Sequence, residues 1–334
     1  MKCRSRRRFL QGSLVLGSLG LLSACGQLPF QAQQPARVPR IGVLSPNPGP
    51  TPTIVAFQEG LRDLGYVEGQ NLLIEWRYGE GKDERLPDLA AELVRLNVEL
   101  IVATTGAAAQ AAKEASATIP IVVAATGDFI GPGFAASLAH PGGNVTGLSN
   151  LALPLVGKRL ELIKEAVAGL SQLAVIWNPR EQAMALEIGE AKVAARTLGV
   201  ELQTLEVRDA NDFDGAFEAA LGGGVEALVL VLTPFFGLNR TRVVELAAKS
   251  RLPAISGDPE FARAGGLMAY GPSLPDLFRR AATYVDKILK GANPAELPIE
   301  QPTKFDFVIN LRTARVLGLT MPQEVLMQAT EVIQ

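Results

Sequence analysis

Cysteine and histidine are almost missing from this chain, and no other reactive side chain sits in a familiar catalytic setting. Cys3 and Cys25 are the two cysteines, and His140 is the one histidine. Disulfides and thiolate metal sites are therefore excluded from the body of the protein, which must rely on its apolar core. The G-x-S-x-G elbow, the G-x-G-x-x-G turn and the P-loop are absent as well. The triple glycine Gly222-Gly223-Gly224 is not followed by Lys-Ser/Thr, so it reads as a helix stop. His140 stands beside Pro141-Gly142-Gly143, the setting of a surface turn. No apolar run reaches the roughly 20 residues needed to cross a bilayer; the one from Leu14 to Ala24 has about 11.

What precedes Cys25 has the pattern of an export signal: a basic region, a short apolar core and small residues. Ser5-Arg6-Arg7-Arg8-Phe9-Leu10-Gln11 resembles a twin-arginine motif, and Leu22-Ser23-Ala24-Cys25 resembles a lipobox whose cysteine is acylated. The expectation is a signal over residues 1–24, a lipid on Cys25, and a flexible Gln/Pro/Ala-rich tether over 25–38. Such a chain is anchored to a membrane and works in the periplasm or at the cell surface. Of the 32 lysines and arginines, five (Lys2, Arg4, Arg6, Arg7, Arg8) leave with the signal, so 27 face 34 acidic residues. No basic stripe remains, and nucleic acid is not an expected partner.

From Arg40 onward, short β-rich runs alternate with helical periodicity, the pattern of a doubly wound α/β fold. Ile54, Phe57, Leu61 and Leu64 share one helical face, and LIVATTG (100–106) and IVVAATGD (121–128) read as buried strands. The order then recurs with similar words. IGVLSPN (41–47) is echoed by LAVIWNP (173–179), VELIVATTG (98–106) by VEALVLVLT (225–233), and Thr126-Gly127-Asp128 by Ser256-Gly257-Asp258. These echoes predict a duplication into two Rossmann-like lobes. Length agrees, since about 300 ordered residues suit two domains.

In open parallel sheets ligands bind beyond the carboxyl ends of the strands. The residues to watch are Asn47, Thr104, Thr105, Gly106, Thr126 and Asp128 in the first half, and Asn178, Thr233, Phe235, Asp258 and Tyr270 in the second, with Asn150 between them. Each also has a plain structural role, because Thr, Gly, Asn and Asp after strands serve turns and helix caps. Trp177 reads as a core residue. Crossings between lobes are expected at 146–154, at 270–275 and at Phe305-Asp306-Phe307-Val308-Ile309, with the helix Leu274, Leu277, Ala281, Val285, Ile288 returning to the first lobe. The expected lobes are 39–149 plus 272–305 and 150–271 plus 306–334.

Four stretches go further: FQEGLRDLGYVEGQNLLIEWRYGEG, LAHPGGNVTGLSN, LMAYGPSLPDLFRRAATYVDKILKGANPAELPIEQPTKFDFVIN and LRTARVLGLTMP. Through them the chain, over roughly 40–330, resembles the substrate-binding lipoproteins of ABC transporters, near the tryptophan and aromatic-amino-acid binders. The resemblance implies a type I periplasmic-binding-protein fold, with two lobes joined by a three-crossing hinge. It implies a small solute held between them and passed to a permease driven by a cytoplasmic ATPase, with no cofactor, no metal and a monomeric receptor. An amino acid or similar carboxylate, with an aromatic side chain as one option, suits the strand ends. Its carboxylate would meet the helix start at Gly106 and the hydroxyls of Thr104, Thr105 and Thr126, its ammonium Asp258 or Asp128, and its side chain Phe235 or Tyr270. The competing readings are a ligand-binding sensor domain and an enzyme using Asp128 and Asp258 as its carboxylate pair.

Overall fold

A computed structural model describes residues 38–150, 153–180, 182–231 and 233–334. The export signal, Cys25 and all of the tether except Val38 lie outside the described residues. The first sheet takes its strands from one continuous stretch: β1 (Arg40–Ser45), α1 (Pro52–Asp63), β2 (Leu73–Tyr78), α2 (Leu86–Arg95), β3 (Leu100–Ala103), α3 (Gly106–Ala115), β4 (Ile121–Thr126) and β5 (Val145–Ser149). All its pairings are parallel, in the order β2-β1-β3-β4-β5.

The second half repeats this plan: α4 (Leu153–Ala166), β6 (Gln172–Trp177), α5 (Gln182–Leu198), β7 (Glu201–Glu206), α6 (Asp212–Gly222), β8 (Ala227–Leu230), α7 (Pro234–Leu238), α8 (Arg240–Ser250), β9 (Ala254–Ser256), α9 (Pro259–Arg263) and β10 (Met268–Pro272). After α10 (Leu274–Leu289) come β11 (Phe305–Asn310), α11 (Leu311–Leu317), α12 (Gln323–Gln328) and β12 (Glu331–Ile333). The sheet runs β12-β11-β10-β9-β8-β6-β7, so β7-β6-β8-β9-β10 reproduces the order of the first sheet. Among the described residues its one antiparallel pairing joins β10 to β11. The duplication read from the echoed words is thus a duplication of strand order.

The central strands form because both faces are covered. Ile41–Ser45, Leu100–Ala103 and Ala227–Leu230 are buried at every residue, as apolar runs in parallel sheets are. Gly147 is required where β5 meets β4, since a Cβ there would sit 2.1 Å from the Val123 carbonyl oxygen. α1 starts at Thr51, whose hydroxyl accepts from Ile54 N–H, with Pro52 in its first turn. Ile54, Phe57 and Leu61 are buried, whereas Leu64, expected on the same face, is the C-cap and is exposed. Against them packs α10 through Leu277, Phe278, Ala281, Val285 and Ile288.

α10 therefore belongs to the first lobe although it follows eleven elements of the second. The chain passes between the lobes after Ser149, at Ser273 and just before Phe305. The segments read as crossings are in part the strands that flank them: Val145–Ser149, Met268–Pro272 and Phe305–Asn310 are each paired in a sheet. Backbone bonds tie the three passages together, with Ser149 N–H donating to Glu300 O (2.8 Å), Glu300 N–H to Gly147 O (3.1 Å) and Ser273 N–H to Lys304 O (3.0 Å). Among the described residues no helix is long and apolar enough to cross a membrane.

Candidate functional site

In the first lobe the strand tips converge on the start of α3. Thr105 takes extended backbone angles, and its hydroxyl accepts from Ala108 N–H (3.3 Å), so it is the N-cap. Ala109 N–H bonds the Thr105 carbonyl. The N–H groups of Gly106 and Ala107 are left without a partner among the described residues, and they point out of the positive end of a ten-residue helix. Beside them, Thr104 is buried and its hydroxyl oxygen has no hydrogen-bond partner.

Thr126 closes in from the next strand. Its hydroxyl lies 2.8 Å from where a Cβ on Gly106 would be, so a larger residue there would turn the Thr126 hydroxyl aside. The Thr126 carbonyl accepts from Asn150 N–H (2.9 Å), which brings the first crossing to the same place. Asp128 turns its Oδ1 back onto the N–H groups of Ile130 (2.7 Å) and Gly131 (3.0 Å). It is half-buried and forms no ion pair among the described residues. Asn47 sits one strand away, its N–H donating to Ser45 Oγ (3.3 Å). Thr104, Thr105, Gly106, Thr126 and Asn150 are thus gathered around one helix start.

The matching tips of the second lobe are occupied by the protein itself. Asn178 is buried, and its Oδ1 accepts from Arg180 N–H (3.0 Å). Thr233 caps α7 through Phe236 N–H (3.3 Å). Phe235 stacks on Phe213, with ring centroids 5.5 Å apart, and packs against the core of that lobe. Asp258 has its own counter-ion: its Oδ2 accepts from Arg240 Nε (2.9 Å) and Nη2 (2.6 Å), while Oδ1 accepts from Glu260 N–H. One of the two expected ammonium partners is therefore already paired with a guanidinium. Tyr270 is half-buried, its ring stacked on Phe305 at 6.2 Å and edge-on to Phe307 at 5.9 Å. Trp177 packs against the core of the second lobe, and its indole N–H is buried without an acceptor. His140 is exposed in a turn, where its N–H donates to Ser137 Oγ.

Sequence reasoning missed Arg159 and Glu187. Arg159, on α4, is wholly buried, and its Nε donates to the Tyr270 carbonyl (2.9 Å). Its Nη1 stands 3.7 Å from Glu187 Oε2 on α5, an ion pair without a completed hydrogen bond. Burial lowers the pKa of the guanidinium and raises that of the carboxyl, and each charge partly offsets the shift of the other. A signal was present: Val156, Arg159, Leu160 and Ile163 follow helical spacing, which sets a charge within an apolar stripe. Among the described residues no group of three His, Cys, Asp or Glu is arranged to hold a metal ion.

Helix-end N–H groups and hydroxyls thus gather beside the passages between the two lobes. ABC transporter substrate binding proteins match residues 42–333. A tyrosine-binding protein of Clostridioides difficile is 24% identical over 263 residues, which cover 79% of this chain and 75% of that one. A conserved domain protein of Vibrio cholerae superposes with a TM-score of 0.81 at 27% identity, over 89% of this chain and 100% of the other. A domain from Streptococcus pneumonia in complex with L-Trp also gives 0.81 at 27%, over 88% of this chain and 99% of the other. The chain belongs to the family of ABC transporter substrate-binding proteins, extracytoplasmic binders of small molecules with the type I periplasmic-binding-protein fold.

Proposed function

We infer that this protein captures an aromatic L-amino acid between its lobes and delivers it to an ABC permease powered by a cytoplasmic ATPase. The observation that carries the reading is the open start of α3, with two free backbone N–H groups and the unpartnered Thr104 hydroxyl next to them. A carboxylate satisfies all three, and the helix dipole adds to the attraction. Thr105 and Thr126 add hydroxyls, and Asn150 adds an amide from the first crossing. Asp128, which forms no ion pair among the described residues, is the better counter-charge for the ammonium; Asp258 shares its charge with Arg240. Tyr270, at the exit from the second sheet, offers a ring for stacking. The tyrosine-binding relative and the neighbour holding L-Trp support an aromatic side chain.

The receptor is exported by the twin-arginine route, acylated at Cys25 and held as a monomer at the outer face of a membrane. Fractionation of cells producing Cys25→Ser, with the protein released in soluble form, checks the anchor. Calorimetry with L-tyrosine, L-tryptophan, L-phenylalanine and tyramine checks the ligand. Binding of at least one amino acid together with loss of tyramine binding is expected, because tyramine lacks the carboxylate. Equal binding of tyrosine and tyramine, or no binding by any of the four, overturns the assignment.

A further inference from the structure

α4 begins where the chain first enters the second lobe, β10 ends where it leaves, and β11 begins where it comes back. Arg159, together with the tyrosine whose carbonyl it holds, links all three. Arg159 projects from the second turn of α4, and its Nε holds the carbonyl of Tyr270, two residues before β10 ends. The ring of that same tyrosine stacks on Phe305, the first residue of β11. Next to it, Gly271 lies so close to β9 that a Cβ would sit 2.0 Å from the Gly257 carbonyl oxygen, so the end of β10 has no slack toward its other neighbour.

Stability alone does not account for the arginine. A buried ion pair gives up hydration that its mutual attraction does not fully return, and apolar side chains of similar volume serve a core as well or better. Here the balance is poorer still, because Arg159 Nη1 and Nη2 and Glu187 Oε2 all lack hydrogen-bond partners. What an apolar side chain cannot do is hold a carbonyl. The guanidinium meets a strand carbonyl through one nitrogen and faces its counter-charge on α5 through another, which joins α4, α5 and β10 at one point.

We propose that Arg159 is the positioning residue of the hinge: through the carbonyl and ring of Tyr270 it joins the second-lobe ends of all three crossings into one unit that moves as a body. A ligand contact on any one crossing is then felt by the other two, and the Tyr270 ring keeps its orientation while the lobes open and close. This inference concerns the hinge and holds whichever solute is bound.

The test is amide hydrogen exchange on the full-length protein, read by mass spectrometry without ligand. In the wild type, peptides covering residues 153–160, 268–275 and 305–310 should share one protection level, as parts of one cooperative opening. Protection levels that differ by more than about tenfold among the three overturn the proposal. Arg159→Met combined with Glu187→Leu removes the pair while leaving a packed core. This variant is expected to melt near the wild-type temperature, yet to exchange about tenfold faster in the three peptides, with no change in β1. Wild-type exchange in all three, at an unchanged melting temperature, also overturns it. If the double variant does not fold, the wild-type comparison decides alone.

Discussion

The two lobes share a strand order and differ at their tips. In the first, Thr105 caps a ten-residue helix and leaves two N–H groups open; in the second, the equivalent Thr233 caps the five-residue α7. Asp128 turns inward onto two backbone N–H groups, whereas its counterpart Asp258 is tied to Arg240. Caps recur because every helix start needs an acceptor for its first N–H groups. Counter-ions do not recur, because they depend on which neighbouring helix supplies a cation. The duplicated parts of the tips thus serve the fold, and the parts that differ change which polar groups each tip leaves open.

That division fails if the cores are unequal. Phe57 in the first lobe and Phe217 in the second are both buried in helix-to-sheet seams. Truncating either to alanine should lower unfolding free energy by about 3–5 kcal/mol in denaturant titrations, the usual loss for a buried phenylalanine. A loss well under 1 kcal/mol in one lobe alone would mean that the two cores carry the fold unequally.

The acidic pair sharpens the contrast. Asp258→Asn leaves the Arg240 guanidinium without its counter-charge and should cost about 1–3 kcal/mol, a range that allows for the partial exposure of the arginine. Asp128→Asn keeps an oxygen for Ile130 and Gly131 N–H and should shift stability by no more than about 0.5 kcal/mol, while weakening capture of an amino acid. Thermal melts and calorimetry on both variants read the two effects separately. The reverse pattern would make Asp258 the ligand partner.

The capping threonines give a smaller effect. Thr105→Ala and Thr233→Ala should each cost about 1 kcal/mol in melting experiments. Thr105→Ala should also lower amino-acid affinity about tenfold, because the open end of α3 loses its order. An equal loss of affinity in Thr233→Ala would move the ligand toward the second lobe.

How much of this was legible beforehand follows from what is local. Buried central strands read directly, because runs such as Leu100–Ala103 and Ala227–Leu230 need no partner to be recognised as apolar and β-rich. The repeat was legible for the same reason, since the residues after each strand are turn and cap types wherever they occur. The strands bordering the crossings were not. Val145–Ser149 contains a glycine, Met268–Pro272 ends in Gly-Pro, and Phe305–Asn310 carries an acid in an antiparallel pairing, so each resembles a connection until its neighbour is known. Ion pairs are less legible still. Asp258 meets Arg240 across 18 residues, and Arg159 meets Glu187 only because α4 packs on α5. Side-chain direction and helix packing decide such partners, and neither is written in composition.

Tyrosine chemistry separates the lobes most finely. Tyr66 and Tyr284 both belong to the first lobe, at the seam where α10 lies against α1 and the loop after it. Burial, and for Tyr66 the Asp286 carboxylate that accepts its hydroxyl (3.0 Å), push each phenol up to about 12. An unfolded tyrosine releases its proton near pH 10, so between about pH 10 and 12 the folded state binds more protons than the unfolded one. Stability from these two groups is complete below pH 10 and is lost as pH rises toward 12. Tyr66→Phe gives up the bond to Asp286, a loss of about 1 kcal/mol at pH 8, but it also removes its share of the alkaline penalty. The melting curves of wild type and Tyr66→Phe should therefore converge as pH climbs from 10 to 12. Curves that stay parallel across that window would mean that the Asp286 contact does not set the proton affinity of Tyr66.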